Sequence, residues 1–445
     1  MNKKNRKIKV GIVYRLAQVV TVVALMAGPA AVVGGEQVRK GDVVAVCGDS
    51  ITEQKEYSAF IEAYLAACQP GGPIRTAQFG WSGDSMSWLW GRGGPDPVLA
   101  IKPSVVTTCY GMNDGGYKPV EPATINNYSN GLTQLVQEFK KNGVRMVVVG
   151  SPGAVDTETF RNDPAQAAMY NPTLAALRDV AREVAQNEGC TFANVHDLMM
   201  EVMAKAKAKY GPKYHVAGVD GVHPSANGHL VMAYAFLKAI GCDGNIGTIT
   251  LDLASGKATA TEGHKIISSK GGTVMVESSR YPFCFYGDPS DPGATTGIIE
   301  FFPFNEDLNR FKLVVTGIGA SDDAQVRVTW GKASKQFKVA DLAKGINLAA
   351  EFLDNPFSEP FQKLRDGAIR NQQNWETSFY KNYLTALLDR GLRQDLRDDP
   401  EVGATADEDL ARMTGALLRK DKKLADEVAA GVMPVQHTIK VELVK

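Results

Sequence analysis

The stretch from Val43 to Glu53 constrains the fold of this chain more than any other. It reads Val-Val-Ala-Val-Cys-Gly-Asp-Ser-Ile-Thr-Glu, an apolar run that stops at Gly48 and is followed by a helical pattern. Such a run predicts a buried strand that places Ser50 just beyond its carboxyl end. Open α/β sheets bind their ligands at that edge. A serine there needs a base, a group that orients the base, and donors for an oxyanion before it can act as a nucleophile.

Strand-like and helical patterns alternate from residue 42 to about residue 241. The five apolar runs are Val43–Cys47, Ile74–Phe79, Ser104–Cys109, Arg145–Val149 and Cys190–Val195. Amphipathic helical patterns separate them, and a last one runs from Ser225 to about Ile240. This alternation predicts a parallel sheet with helices on both faces, a three-layer α/β domain that we assign to residues 36–244.

The pattern changes after Gly241. Short alternating runs with turn signals predict a separate antiparallel β-rich domain, sandwich-like, over residues 245–349. Residues 350–432 are helical and highly charged, which indicates an insertion, by default a solvated helical pair packed on the β-rich domain. Two alternatives remain for this segment: it is a lid over the site, or it is an arm that binds a partner. The alternation at 433–445 predicts a strand that returns to the β-rich domain.

The first 35 residues have the layout of a secretory signal peptide. Six basic residues between Met1 and Arg15 precede an apolar stretch from Leu16 to Ala27 and then small residues. A membrane anchor is the weaker alternative, because the apolar part falls short of the ~20 residues that span a bilayer. We therefore expect a secreted or periplasmic protein with no stable membrane insertion after signal cleavage.

Composition excludes several classes of function. The formal net charge is zero, which gives no indication of a nucleic-acid partner. The six cysteines are widely spaced and match no metal-binding signature, and we find no Gly-rich phosphate loop. We therefore expect neither a metal nor a cofactor.

Among the six histidines, His223 has the surroundings of a catalytic base. It lies in Asp-Gly-Val-His-Pro, immediately before the last helical pattern of the α/β domain. The carboxylate of Asp220, three residues earlier, can accept a hydrogen bond from the imidazole, fix its tautomer and stabilise its protonated form. The alternative is a loop that starts a helix, with Asp220 as a turn residue and His223 on the surface.

Two loops after the second and third predicted strands supply candidate oxyanion donors. Gly83, in Trp-Ser-Gly-Asp, can present an unobstructed backbone N–H, and Asn113, in Gly-Met-Asn-Asp, can present a side-chain N–H. With the backbone N–H of Ser50 they can form an oxyanion hole, in which one donor contributes about 10²–10³ in rate. The alternatives are a helix cap after the second strand and an Asn-Asp-Gly turn after the third.

Taken in order, these four segments resemble the four blocks of the SGNH hydrolases, also called GDSL esterases. The resemblance covers about residues 41–241 and implies a flavodoxin-like α/β/α fold and metal-independent ester hydrolysis. It implies the following roles: Ser50 as nucleophile, His223 as general base and then acid, Asp220 as its orienter, and Ser50, Gly83 and Asn113 as the oxyanion hole. One departure is Gln78, where the second block often has asparagine, which puts a local hydrogen bond in doubt.

We therefore expect an exported serine esterase that cleaves small acyl groups, acetyl above all, from a carbohydrate or another polar ester. Trp81, Trp88 and Tyr110 are candidate substrate contacts because aromatic faces stack on sugar rings or hold acyl and aryl groups, although packing would also explain them. The alternatives are a lipase or aryl esterase of the same fold, and a non-catalytic carbohydrate-binding scaffold. The scaffold is disfavoured because the residues of all four blocks are present.

Overall fold

The computed structural model of the protein describes residues 37–69 and 74–444. The predicted signal peptide lies outside these residues. The described residues group into a single unit, so the boundaries between the predicted domains stay a prediction.

The first five strands form a parallel sheet in the order β2-β1-β3-β4-β5, which is the flavodoxin-like order. The strands are β1 Val43–Gly48, β2 Arg75–Gly80, β3 Val105–Cys109, β4 Met146–Gly150 and β5 Thr191–Ala193. β1 lies between β2 and β3, with Gly48 opposite Gly80 on one side and Cys109 on the other. The loops after these three strands therefore begin side by side at one edge of the sheet.

Helices cover both faces of this sheet. They are α1 Ser50–Glu53, α2 Glu56–Ala67, α3 Met86–Gly91, α4 Asp96–Ala100, α5 Pro122–Lys141, a 3₁₀ helix at Phe160–Asn162, α6 Pro164–Asn187, α7 Val195–Tyr210 and α8 Ala226–Ala239. Alternate side chains of β1 enter two different cores, Val44 and Val46 one of them, Ala45 and Cys47 the other. The predicted three-layer α/β fold is confirmed.

Two further sheets occupy the C-terminal half, as the predicted β-rich region requires. Their strands are β6 Asn245–Asp252, β7 Lys257–Ala260, β8 His264–Lys270, β9 Thr273–Ser278, β10 Arg310–Thr316, β11 Gln325–Trp330, β12 Ala333–Lys338, β13 Ile346–Asn347 and β14 Val435–Leu443. One sheet has the order β13-β10-β6-β7 and the other β12-β11-β14-β9-β8. Two short helices, α9 Phe304–Leu308 and α10 Val339–Lys344, lie between strands of the two sheets, and α11 Leu348–Glu351 follows β13.

The expectation of purely antiparallel strands needs one correction. β6 and β10 pair in parallel. Parallel neighbours need a long crossover connection, and here β7, β8, β9 and α9 lie between the two strands in the chain. In the other sheet every pairing is antiparallel, and β14 lies between β9 and β11.

The helical segment between β13 and β14 consists of α11, α12 Ser358–Trp375, a π-helix at Glu376–Leu384, α13 Thr385–Leu387, α14 Arg390–Asp398 and α15 Ala406–Ala430. Contrary to expectation, it packs largely on the α/β domain, along α2 and the edge strand β2. The Trp375 indole N–H donates to the backbone oxygen of Gln78 over 2.8 Å, and Gln372 donates to Glu62 over 2.7 Å. The reason is physical: an uncovered edge strand leaves backbone groups unpaired, and the segment covers them.

All six cysteines lie within the described residues, and each is a free thiol. Cys47 and Cys109 are buried in the α/β core, as expected of small apolar residues. In the described parts of the chain, no helix is both long and apolar enough to cross a membrane.

Candidate active site

Ser50 is placed by a sharp turn at the end of β1. A Cβ atom on Gly48 would overlap the Thr52 hydroxyl and lie 2.8 Å from the backbone oxygen of Cys109, so only glycine lets α1 begin so close to the strand. Asp49 caps α1 by accepting from the N–H of Ile51 over 3.0 Å. Because Ser50 is the first residue of α1, its N–H has no partner within the helix and is available to a ligand.

Ser50, His223 and Asp220 form a continuous hydrogen-bonded chain. Ser50 Oγ lies 2.8 Å from His223 Nε2, and His223 Nδ1 lies 2.6 Å from Asp220 Oδ2. An ionised carboxylate only accepts hydrogen bonds, so the imidazole proton sits on Nδ1 and leaves Nε2 to accept from the serine hydroxyl. This arrangement can remove a proton from Ser50 during nucleophilic attack.

The loop that carries Asp220 also stabilises its charge. Asp220 Oδ1 accepts from the backbone N–H groups of Val222 and His223, each over 2.9 Å. Partial burial opposes ionisation, but these bonds and the bond from the His223 imidazole outweigh it and lower the pKa of Asp220 below its usual value. The carboxylate is therefore ionised when it orients the imidazole.

Gly83 and Asn113 lie in two loops that are hydrogen-bonded to each other. Gly83 has φ +77°, in a turn closed by the N–H of Asp84 donating to Trp81 O over 3.1 Å. The Asn113 side chain donates one N–H to Asp84 O over 2.9 Å and accepts from the Tyr117 hydroxyl over 3.3 Å. These two bonds orient the amide, whose second N–H can serve an oxyanion.

Three carboxyl groups lie in these loops or next to Ser50. Burial raises the pKa of Asp49 to about 7, and those of Asp84 and Asp114 to about 6. The negative charges of Asp114 and Asp84 raise the pKa of Asp49 further, while Arg92 opposes the shift at Asp84. Burial thus opposes the ionisation of all three carboxyl groups.

An open cavity of about 690 Å³ lies beside Gly83. It is lined by Trp81, Ser82, Gly83, Asp84, Ser87, Trp88, Gly91 and Arg92. Trp88 is 72% exposed, whereas the Trp81 ring is covered by the Arg92 guanidinium, 4.0 Å from its centroid. Trp88 therefore offers a free aromatic face within reach of the site.

A second cavity, of about 650 Å³, borders His223. Its lining residues are Gln54, Glu56, Val219, Asp220, His223, Pro224, Ser225, Ala226, Tyr286 and Gly293. Most of these are polar, and Tyr286 and Gly293 come from the C-terminal half of the chain. Both halves of the molecule thus contribute to the surroundings of the imidazole.

The structure also shows the surroundings of two other positions singled out from the sequence, Tyr110 and Gln78. Tyr110 is only 3% exposed and packs in the core, with its backbone oxygen accepting from the Tyr128 hydroxyl, so its ring is not available to a ligand. Tyr110 is therefore not a substrate contact, contrary to expectation. The Gln78 side chain accepts from the N–H of Gly80 at the end of β2, so this departure from the family pattern still forms a local hydrogen bond.

Sequence reasoning missed the pair of Glu53 and Lys381 beside the site. Glu53 accepts from the N–H of Ser82 and, over 2.5 Å, from the ammonium of Lys381. His229 Nε2 donates to Gln54 Oε1 over 3.0 Å, and burial lowers the pKa of His229 to about 3. Glu53 could have been noticed because it follows Ser50 by one helical turn, but nothing in the local pattern singles out Lys381.

Comparison with known proteins gives a family and a fold. Residues 46–231 match the GDSL-like lipase/acylhydrolase family. An acetylxylan esterase of Geobacillus stearothermophilus is 27% identical over 215 residues, 45% of this chain and 91% of the relative. The structure of a gut microbial diltiazem-metabolizing enzyme is similar in fold with a TM-score of 0.67, at 22% identity, over 92% of this chain and 99% of that one. The fold similarity thus extends through the C-terminal half.

Proposed function

We propose a mechanism and a substrate class for this chain, a serine esterase whose residues 46–231 belong to the GDSL-like lipase/acylhydrolase family. It is an exported enzyme that removes small acyl groups, acetyl above all, from a carbohydrate. The hydrogen-bonded chain from Ser50 through His223 to Asp220, with contacts of 2.8 and 2.6 Å, carries the proposal.

In the proposed mechanism, His223 takes the proton of Ser50 as the serine oxygen attacks the ester carbonyl. The backbone N–H groups of Ser50 and Gly83 and the free amide N–H of Asn113 hold the oxyanion. His223 then gives its proton to the departing alcohol, which leaves an acyl-serine. Water, deprotonated by His223, hydrolyses this intermediate, and Asp220 stabilises the imidazolium at both stages.

Two features support a sugar as the alcohol part of the ester. The departing oxygen has to lie within hydrogen-bonding reach of His223 Nε2, and the cavity beside this imidazole is lined largely by polar residues. On the other side of the site, the exposed Trp88 indole can stack on a sugar ring. The name of the acetylxylan esterase relative is consistent with such a substrate.

A panel of acetylated xylan, mannan, pectin and chitin oligosaccharides, assayed for acetate release, tests the proposal. We expect release from at least one of them, abolished in Ser50→Ala and retained in Ser255→Ala, which alters a serine on an exposed turn of the β-rich region. Acetate release by Ser50→Ala at the unaltered rate would contradict the mechanism. No release from any of these esters by the unaltered chain would favour the non-catalytic scaffold.

An aryl ester is the second candidate, because the exposed indole of Trp88 suits a planar ring as well as a sugar. Nitrophenyl esters of increasing acyl length, compared with the acetylated sugars, separate the two. A strong preference for long acyl chains would contradict the acetyl proposal and favour a lipase.

Export rests on the sequence pattern of the first 35 residues. Expression of the full chain in a bacterial host, followed by N-terminal sequencing of the protein outside the cytoplasm, tests it. We expect a mature N-terminus close to residue 35, and protein retained in the cytoplasm with its first residues intact would contradict export.

A further inference from the structure

We propose that the π-helix at Glu376–Leu384 holds the loop that carries Gly83, and that Lys381 acts through it as a positioning residue for the oxyanion hole. The inference rests on the proposed role of Gly83 as a donor. It assigns a task to the helical segment, which lies outside the part of the chain that matches the esterase family.

The Glu53 carboxylate joins three parts of the molecule. Glu53 is the last residue of α1, the helix that begins with Ser50. One of its oxygens accepts from the backbone N–H of Ser82, the neighbour of Gly83, and the other accepts from Lys381 Nζ over 2.5 Å. The nucleophile, the oxyanion loop and the inserted segment are thus connected through a single side chain.

Lys381 is itself held by a ring of alternating charges. Its ammonium also lies 2.9 Å from Glu376, which pairs with Lys55, and Lys55 Nζ donates to the backbone oxygen of Glu53 over 2.6 Å. The side chains of Lys55 and Glu376 are each only 9% exposed, so water screens these charges weakly. Without Lys381, the Glu53 carboxylate would lose its cation and Glu376 would keep only Lys55, which is costly in a poorly solvated place.

The same segment also fixes Trp81, two residues before Gly83. The Tyr380 ring meets the Trp81 ring edge to face, with centroids 5.7 Å apart, and Lys381 Nζ lies 5.1 Å from the Trp81 centroid. A Cβ atom on Gly83 would have no neighbour within 4 Å, so the contacts of flanking residues have to determine where this loop lies.

The π-helical geometry is what brings Glu376 and Lys381 together. In an α-helix, residues five apart point about 140° away from each other, because each residue turns the chain by about 100°. In a π-helix, hydrogen bonds run from residue i to i+5, which places these side chains on one face. π-helical turns are rare and are often found at functional sites.

The test compares Lys381→Met with Lys381→Arg and with Lys363→Met, which removes an exposed lysine of α12 that pairs with Glu359. With nitrophenyl acetate, we expect kcat of Lys381→Met to fall about 10-fold with KM unchanged, since a displaced donor loses part of the 10²–10³ of a deleted one. Lys381→Arg should restore most of kcat, and Lys363→Met should match the unaltered chain.

A double-mutant cycle with Glu53→Gln shows whether Lys381 acts through Glu53. We expect the double variant to lose no more kcat than the worse single variant, whereas multiplied losses would overturn the proposed link. If the Lys381→Met variant does not fold, Lys381→Gln is used instead, because glutamine keeps a hydrogen-bond donor without the charge.

The inference and the proposed function fail in different ways. Unaltered kcat in Lys381→Met, with Ser50→Ala inactive, would overturn the positioning role and leave the mechanism intact. An equal loss in Lys381→Met and Lys363→Met would also overturn it. Full activity of Ser50→Ala would overturn the mechanism and the inference together.

Discussion

Ser50 and Ser278, one in each half of the described chain, each form a 2.8 Å hydrogen bond with a histidine. Ser50 Oγ lies 2.8 Å from His223 Nε2 in the α/β domain, and Ser278 Oγ lies 2.8 Å from His264 Nδ1 in the β-rich region. The first belongs to the proposed active site and the second lies in a core. A short bond between a hydroxyl and an imidazole is therefore not enough to make a nucleophile.

The two serine–histidine pairs differ in which atoms donate hydrogen bonds and which accept them. In the β-rich region the Trp330 indole donates to His437 Nδ1 over 3.1 Å, so the proton of His437 sits on Nε2 and points at Ser278 Oγ, 2.9 Å away. The Ser278 hydroxyl then donates to His264, whose Nε2 donates to the backbone oxygen of Ile246 over 3.0 Å. Every donor has an acceptor, and every member of the chain is neutral.

The hydrogen-bonded series that begins at Ser50 ends at a charged carboxylate and is exposed to solvent. Its imidazole donates to the Asp220 carboxylate, and the His223 side chain is 36% exposed. The Asp220 carboxylate can stabilise the imidazolium that forms during proton transfer, whereas burial lowers the pKa of His264 and His437 in the β-rich region. The comparison indicates that a carboxylate, access to solvent and oxyanion donors distinguish the reactive pair from the structural one.

Replacing each serine in turn is the strongest test of this distinction. We expect Ser50→Ala to lower kcat by about 10³-fold or more, since attack by the serine oxygen is lost. Ser278→Ala should keep kcat but lose about 1–3 kcal/mol of stability, because two buried histidine nitrogens lose their partner. Acetate release and urea unfolding measure the two effects, and the reverse pattern would contradict the assignment.

Removing the charge of Asp220 should make the hydrogen-bonded serine and histidine of the active site behave more like the buried pair of Ser278 and His264. We expect Asp220→Asn to lower kcat by about 10³-fold, because an amide no longer fixes the imidazole tautomer or stabilises the imidazolium. KM should change little. Steady-state kinetics alongside Asp323→Asn, a change on an exposed turn, measure the effect, and wild-type kcat in Asp220→Asn would show that the carboxylate has no such role.

The smallest effect is expected from the buried histidines at acid pH. Burial lowers the pKa of His437 from 6.5 to about 3, so between these values the unfolded chain binds a proton that the folded chain does not. Stability is therefore complete above pH 6.5 and falls as the pH drops, by about 2 kcal/mol at pH 5 for this one group. Urea unfolding at pH 7 and 5 should show a smaller loss in His437→Gln than in the unaltered chain, and equal losses would contradict this origin.

The strands and loops of the α/β domain could be predicted because their signals are local. Ser50, Gly83 and Asn113 each follow an apolar run, and parallel strands bring the ends of such runs to one edge. Tyr110 shows the limit of this reasoning, since it lies three residues before Asn113 and yet its ring turns into the core.

Long-range pairings could not be predicted in the same way. Glu53 and Lys381 are separated by 328 residues, and the sequence around either residue does not indicate the other as its partner. The parallel pairing of β6 with β10 and the packing of the helical segment on β2 are of the same kind, because each depends on which exposed surface the folded chain offers.

The position of β14 determines the order in which this molecule can be completed during synthesis. β14 lies between β9 and β11, yet it follows the whole helical segment in the chain. On the ribosome, the facing edges of β9 and β11 therefore stay unpaired until β14 emerges, and unpaired edges promote aggregation. A nascent chain of this protein has its serine, histidine and aspartate early, but its β-rich half depends on a strand that is made after the whole helical segment.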